Sequence, residues 1–315
     1  MIMNEIRYPT IKIEGKDTPW DPAHTRRVQE HPCFSENASH HFGRMHLAVA
    51  PKCNIQCNYC IRKFDCVNEC RPGVTSQVLT PQEALARVDE VLEKLHYIKV
   101  TAVAGPGEPL FNEETFETFR LIKEKHPHMM LCISSNGLLL PDKIDLLEKL
   151  GVGNVTVTLN AVDPKIGAKI YEYVTYKGKK YTGLEAGEIM LDHQLRGIEE
   201  AVKRKMVVKV NTVFIPTIND HHVIEVAKAI KKIGVYIQNL MPLIPQYRFV
   251  HISSPTPVEM MNVQDDLSEV MRQMTHCRHC RSDAIGILGH DVQECFDKME
   301  KEKEFSGLRG KPKLL

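Results

Sequence analysis

Three cysteines, Cys53, Cys57 and Cys60, stand at a C-x3-C-x2-C spacing within Cys53-Asn54-Ile55-Gln56-Cys57-Asn58-Tyr59-Cys60. They follow directly on the apolar run Met45-His46-Leu47-Ala48-Val49-Ala50. Thiolates this close in one loop can converge on an inorganic cluster, because iron–sulfur clusters are held by cysteine sulfur. A four-iron cube takes four ligands and the motif supplies three, which leaves one iron for a ligand that is not a protein cysteine. A zinc knuckle or a disulfide loop is the blander alternative. Zinc sites, however, use C-x2-C pairs backed by a second pair, and this asymmetric spacing fits that poorly.

The motif resembles that of the radical SAM superfamily. The resemblance implies that the open iron chelates the amino and carboxylate groups of S-adenosylmethionine (SAM). One-electron cleavage of the sulfonium then gives a deoxyadenosyl radical.

The elements that must position this loop follow from the rest of the chain. Its 315 residues are 43% hydrophobic, enough to bury a full core. Lys plus Arg (41) nearly balance Asp plus Glu (40), so charge gives no case for nucleic acid or an anionic membrane as partner. No apolar run reaches the roughly 18 residues of a membrane span, and the first residues lack a signal-peptide layout, so a soluble cytoplasmic protein is expected. Ten cysteines in such a chain read as metal ligands before disulfides.

From Met45 short apolar strands alternate with amphipathic helices. Strands are expected at 45–50, 98–104, 129–134, 153–159, 207–214 and 235–241, with helices near 81–95, 112–126, 141–150, 187–204 and 220–233. Thr80-Pro81-Gln82-Glu83 carries a capping box with Pro at the first helical position. Strands separated by helices imply parallel pairing with right-handed crossovers, as a doubly wound sheet or a barrel. The superfamily resemblance favours an α/β fold of the partial (β/α)6 barrel type, with extensions from both termini over the barrel mouth. The expected division is an N-terminal extension over 1–44, a core barrel over 45–245 and a C-terminal extension over 246–315. Residues 166–187 read as a surface insertion whose tyrosines pack a small satellite core, and a further helix is expected at 264–275. Residues 1–44, with His31-Pro32-Cys33-Phe34 and the pair His40-His41, read as a segment folded back over the active site.

Ligands in open α/β folds bind at the carboxyl ends of strands. The second expected strand runs into Gly105-Pro106-Gly107-Glu108, which resembles the superfamily's Gly-Gly-Glu motif. The resemblance implies that Gly105, Gly107 and Glu108 meet the methionine amino group of SAM. Ser134, Ser135 and Asn136 end the third strand and Asn160 the fourth, where small polar side chains suit ribose hydroxyls and a carboxylate. Turn chemistry is the ordinary alternative for such residues. Asn211 on the next strand is a further SAM candidate, and Tyr59 a neighbour for the adenine ring.

Seven cysteines remain beyond the first three. Cys277 and Cys280 form a chelating C-x2-C pair, whereas Cys70 and Cys295 read as small hydrophobes. The segments around Cys33, Cys53–Cys60, Asp65-Cys66-Val67-Asn68-Glu69 and His276-Cys277-Arg278-His279-Cys280 together resemble the NifB family of nitrogenase cofactor maturases. The resemblance runs from about residue 31 to 290, in the form without a NifX-like domain. It implies a SAM-binding 4Fe-4S cluster and two further 4Fe-4S clusters, K1 and K2. A methyl group from one SAM would be converted to a carbide as K1 and K2 fuse into NifB-co, the precursor of the nitrogenase cofactor. On this basis Cys33, Cys66 and Cys132 are expected to hold one substrate cluster. Cys277, Cys280 and a histidine, His40 or else His41, are expected to hold the other. Glu69 is the candidate proton acceptor. The implied partners are a cluster donor protein, an acceptor scaffold or carrier, and an external electron donor. The rival readings are a radical SAM enzyme for an organic or peptide substrate with an auxiliary cluster, a non-catalytic iron–sulfur carrier, and a zinc-binding interaction protein.

Overall fold

Periodicity in the chain becomes an open barrel. The computed structural model describes residues 10–13, 16–19, 22–68 and 77–292. Glu69, Cys70 and Cys295 therefore lie outside the described residues. Strands β1 (Thr10–Ile13) and β2 (Lys16–Pro19) form an antiparallel pair, followed by helices α1 (Pro22–Gln29) and α2 (Glu36–His41). The barrel then runs β3 (Gly43–His46), β4 (Ile55–Cys57), α3 (Pro81–Lys94), β5 (Ile98–Val103), α4 (Glu113–Lys125), β6 (Met130–Ser135), α5 (Leu140–Leu150) and β7 (Val152–Thr158). After it come α6 (Pro164–Ile170), β8 (Tyr171–Tyr176), β9 (Lys179–Tyr181), α7 (Gly183–Lys203), β10 (Val207–Phe214), α8 (Val223–Ile233) and β11 (Ile237–Pro242). Helix α9 (Pro257–Val270) and strands β12 (Ile285–Ile287) and β13 (His290–Asp291) complete it.

The main sheet has the order β11-β10-β7-β6-β5-β3-β12-β13, and its six strands from β3 to β11 are parallel neighbours in chain order. This is the expected partial (β/α)6 barrel. Residues facing outward pack under the helices: Met45, Leu131, Ile133, Val155, Val157, Val208 and Val210 belong to one large core with Val88, Val91, Phe119, Ile122, Leu147 and Ile198. Side chains one step along each strand point the other way. That alternation places Arg44, His46, Ala102, Cys132, Ser134, Thr156, Lys209, Asn211 and Asn239 around a cavity inside the barrel. Complete barrels of this type fill that space with branched aliphatics; here it holds cations, amides, hydroxyls and sulfur.

The helix boundaries follow local chemistry. Thr80 caps α3 by accepting from Glu83 N while the Glu83 carboxylate takes the Thr80 N–H, and Pro81 supplies the fixed first residue. The same device, Thr256-Pro257-Val258-Glu259, starts α9 seven residues before the expected 264 and moves its end to Val270. Helix α5 ends at Gly151, whose φ of 78° lies in the left-handed region where glycine carries no side-chain penalty.

Two expectations change in detail. The segment near 166–187 is helix α6 plus the hairpin β8–β9, and β8 pairs antiparallel with β4 inside the cysteine loop. The strand expected at 45–50 is regular only to His46, although Leu47 N and Ala50 N still donate to Ala102 O and Gly105 O.

The N- and C-terminal segments pack on the barrel from different sides. His24 and Arg27 hydrogen-bond Lys205 O, and Asn154 Nδ2 donates to Arg27 O, so α1 sits at the amino-terminal ends of β7 and β10. Residues 271–284 form a strap along the seam between β11 and β3. Gln238 N and Met274 N exchange bonds with Arg272 O and Gln238 O at one edge, and β12 pairs with β3 at the other. Val28, Phe34, Val207, Ile237, Met274, Cys280, Ala284 and Leu288 make a separate small core that fastens leader and strap together.

Candidate functional site

The cysteine loop is fixed from three directions. Its own strand β4 pairs with β8, and Asn58 N and Thr175 N donate to Ile170 O and Asn54 O. Gly107 N and Glu108 N donate to Ala50 O and Lys52 O at 2.6 and 2.8 Å, so the turn after β5 lies against the residues just before Cys53. A Cβ on Gly107 would stand 2.4 Å from Lys52 O, which only glycine avoids. The same turn accepts Cys66 N through Pro106 O.

Cys53, Cys57, Cys60 and Cys66 line one cavity at the carboxyl ends of the strands, together with Gly107, Glu108, Ser134, Ser135 and Asn136. The Glu108 carboxylate is 3% exposed and accepts from Leu110 N, Ser135 Oγ and Asn136 N at 2.7–3.0 Å. That network locks the ends of β5 and β6 in one register beside the cysteines. Burial pushes the thiols of Cys53, Cys57 and Cys66 up, and that of Cys60 to about 11. The thiols are therefore protonated without metal, and metal loading must release protons.

A second cavity lies inside the barrel, lined by Cys33, Cys132, Cys277 and Cys280 with His31, Arg44, His46, Lys209, Asn211 and Asn239. Ser134 lines both cavities, so they meet at the inner face of β6. All eight described cysteines are free thiols. Among the described residues no three His, Cys, Asp or Glu side chains converge on the single point a mononuclear ion requires. A cube accepts thiolates at separate corners and does not need that convergence.

The two histidines of the inner cavity are in different states. Burial lowers His46 to about 4, helped by the Arg44 charge, and His31 falls well below its ordinary value for the same first cause. Both are neutral at pH 7. His46 Nδ1 donates to Arg281 O at 3.0 Å, which leaves the lone pair on Nε2. His31 Nδ1 instead accepts the Cys33 N–H at 3.1 Å, so Nε2 carries the proton, and that buried atom has no protein partner.

The expected residues separate accordingly. Cys66 sits with the cysteine loop, whereas Cys33 joins Cys277 and Cys280. Asn211 faces the inner cavity. His40 and His41 are exposed on α2 and line neither cavity. Tyr59 is 1% exposed and lines neither; its hydroxyl donates to Asn68 Oδ1 and accepts from Asn160 Nδ2, both at 2.7 Å, tying the loop to the end of β7. Asn160 is used in that tie, and Gly105 lies behind the turn, 3.4 Å from the Ser282 Cβ if a side chain is built on it. Sequence reasoning did not single out Arg44, His46, Lys209 or Asn239. A two-residue alternation from Arg44 to His46, continued across the strands, is the signal that places them.

Residues 47–230 match the radical SAM superfamily. The chain belongs to that superfamily. In line with this, the fold resembles Streptococcus suis SuiB bound to S-adenosylmethionine (12% identity, TM-score 0.52, 80% of this chain and 53% of that one). It also resembles methylornithine synthase, PylB (16% identity, TM-score 0.51, 78% and 67%). At the sequence level the radical SAM chain is similar to proteins described as FeMo cofactor biosynthesis protein NifB. It is 47% identical to that of Bradyrhizobium diazoefficiens over 272 residues, covering 84% of this chain and 54% of the relative. It is 46% identical to that of Rhodobacter capsulatus (88% and 63%) and 45% identical to that of Frankia alni (88% and 56%). The chain thus spans between 54% and 63% of the length of these relatives. Among the described residues no helix is long and apolar enough to cross a membrane.

Proposed function

We propose that this radical SAM protein is a nitrogenase cofactor maturase of the NifB kind, which methylates and fuses two 4Fe-4S clusters, K1 and K2, around a carbide to give NifB-co. The observation that carries the reading is the back-to-back placement of two thiol-lined cavities that share Ser134. Cys53, Cys57 and Cys60 would hold the SAM cluster, the donor set fits a cube with one open iron, and Gly107, pressed against the Lys52 carbonyl, fixes the turn after β5 at the wall of that cavity. When bound, cluster and SAM supply a one-electron cleavage to the deoxyadenosyl radical, and a second SAM supplies the methyl group. Ser134, Ser135 and Asn136 line the space where SAM would bind, and the buried Ser134 hydroxyl lacks a protein partner. Glu108, already holding that β-strand end by hydrogen bonds from Ser135 Oγ and Asn136 N, orients the donors around it.

The substrate clusters belong deeper. Cys33, Cys277 and Cys280 hold one, with His46 as fourth ligand, because its Nδ1–H is fixed by a backbone carbonyl in the manner of metal-bound imidazoles. Cys66 and Cys132, on the two sides of Ser134, hold the other with fewer protein ligands. Sparse ligation suits clusters that must fuse and depart. An external electron donor, a cluster donor and an acceptor carrier are the partners this chemistry needs.

The deciding experiment is incubation of iron-loaded protein with methyl-labelled SAM under dithionite. Label should enter a protein-bound cluster that activates cofactor-free nitrogenase. SAM cleavage without label in any cluster refutes the reading and leaves an enzyme for an organic substrate.

A further inference from the structure

The inner cavity combines its thiols with buried cations. Arg44 is fully buried, its Nη1 donates to Gly286 O at 2.7 Å, and its Nη2 lies 3.0 Å from Cys280 Sγ. Nη2 also pairs with Asp291 Oδ1 at 2.6 Å. Asn239 Nδ2 donates to Cys277 Sγ at 3.5 Å. Lys209, 7% exposed, lines the same cavity. Cys33 and Cys277 share that lining with it. His31 Nε2–H, buried and without a protein partner, is one more donor at this wall.

Packing alone does not call for this. Placing a cation in a protein interior is unfavourable unless a negative group compensates it. Asp291 pairs with Arg44, and the Cys280 thiol sulfur of the cavity lies against the same guanidinium. Cys280 and Cys277 each receive an N–H from a residue of the barrel wall, so the donors are matched to the two sulfurs of the strap.

We propose that Arg44 and Lys209 are positioning residues that form the counter-charge of the substrate cluster on Cys33, Cys277 and Cys280, with the Arg44–Cys280 bond raising that cluster's reduction potential. The inference rests on the proposed function, in which these thiols hold a cluster. A thiolate-bound cube is anionic, and reduction adds charge to it. Hydrogen bonds to its sulfurs and nearby cations stabilise the reduced form and move the potential upward. Met or Leu at these positions would give a cluster that is harder to reduce.

The test uses the full chain carrying Cys53→Ala, Cys57→Ala, Cys60→Ala and Cys66→Ala, loaded anaerobically with iron and sulfide. Its remaining cluster is titrated potentiometrically by electron paramagnetic resonance. Arg44→Met and Lys209→Met should each lower the midpoint potential, and Arg44→Lys should recover part of the shift because it restores charge without the fork. Unchanged potentials with iron retained overturn the inference and leave Arg44 as a structural tie between β3 and β12. Should Arg44→Met fail to fold, Lys209→Met decides alone by the same criterion. Loss of all cluster iron from the parent variant would overturn the proposed function, and this inference with it, so the two failures are distinguishable.

Discussion

Ser282 Oγ donates to the Asp65 carboxylate at 2.8 Å, joining the residue before Cys66 to the strap that carries Cys277 and Cys280. Both groups are buried, and 217 positions separate them in the chain. The bond links the outer cavity's loop to the inner cavity's wall. Hydrogen bonds to a charged group contribute about 1.5–3 kcal/mol. Ser282→Ala should lower unfolding free energy by about 2 kcal/mol, and a double-mutant cycle with Asp65→Asn should show coupling of at least 0.5 kcal/mol, roughly the lower limit for contacting pairs. Additive effects in denaturant titrations would show that the two segments are held independently.

Cys33→Ala, Cys277→Ala and Cys280→Ala should each lose about four irons per chain while keeping the SAM cluster, since one cube is affected. Iron analysis and SAM cleavage measured on the same sample check this. Full iron content in any variant removes that residue from the ligand set.

The histidines give a sharper contrast. His46→Ala should abolish the strong nitrogen coupling of a directly bound imidazole in pulsed resonance spectra, leaving at most the weak coupling of nitrogens hydrogen-bonded to the cluster sulfurs. His40→Ala and His41→Ala, changed on the exposed face of α2, should leave the coupling in place. The reverse outcome would return the ligand to the leader.

At the turn after β5, Gly107→Ala places a methyl group against the Lys52 carbonyl. Overpacking of this kind costs about 1–3 kcal/mol. The expected result is weaker SAM binding with inner-cluster iron retained, read by equilibrium dialysis and iron counting.

Thr80→Ala tests the barrel scaffold away from either cavity, with an expected loss of about 1 kcal/mol. The Thr80 backbone N–H holds the Glu83 carboxyl below its ordinary value, with the Thr80 hydroxyl adding to it. A carboxyl lowered by folding stabilises above its unfolded pKa and loses that contribution as pH falls through the folded one. The difference between wild type and Glu83→Gln in thermal melts should therefore be full at neutral pH and shrink on acidification below the ordinary carboxylate range.

Much of this was legible because it is local. The C-x3-C-x2-C spacing, the Thr80 capping box and the strand–helix alternation are properties of short windows, and six parallel strands in chain order follow from them. The start of α9 is equally local, in Thr256-Pro257-Val258-Glu259, although the helix was expected only from 264. Histidine choice was not local. His40 and His41 stand out as a pair, yet their side chains face solvent, whereas His46 lies within an apolar run and turns inward by strand alternation. Arg44 and Lys209 were hidden for the same reason. Pairing of the cysteine loop with β8 links positions more than a hundred residues apart, and no periodicity reports such contacts.

Strand β12 reaches β3 from some 240 residues downstream, and the Cys280 sulfur arrives with it. During translation β3 leaves the ribosome long before its neighbour exists, so the inner chamber lacks one side while most of the barrel has already been synthesised. The ligand set proposed for the inner cluster is incomplete until Cys280 has been made and β12 can pair with β3. On the proposed ligand set, a nascent chain halted before the strap should accept metal at the cysteine loop alone.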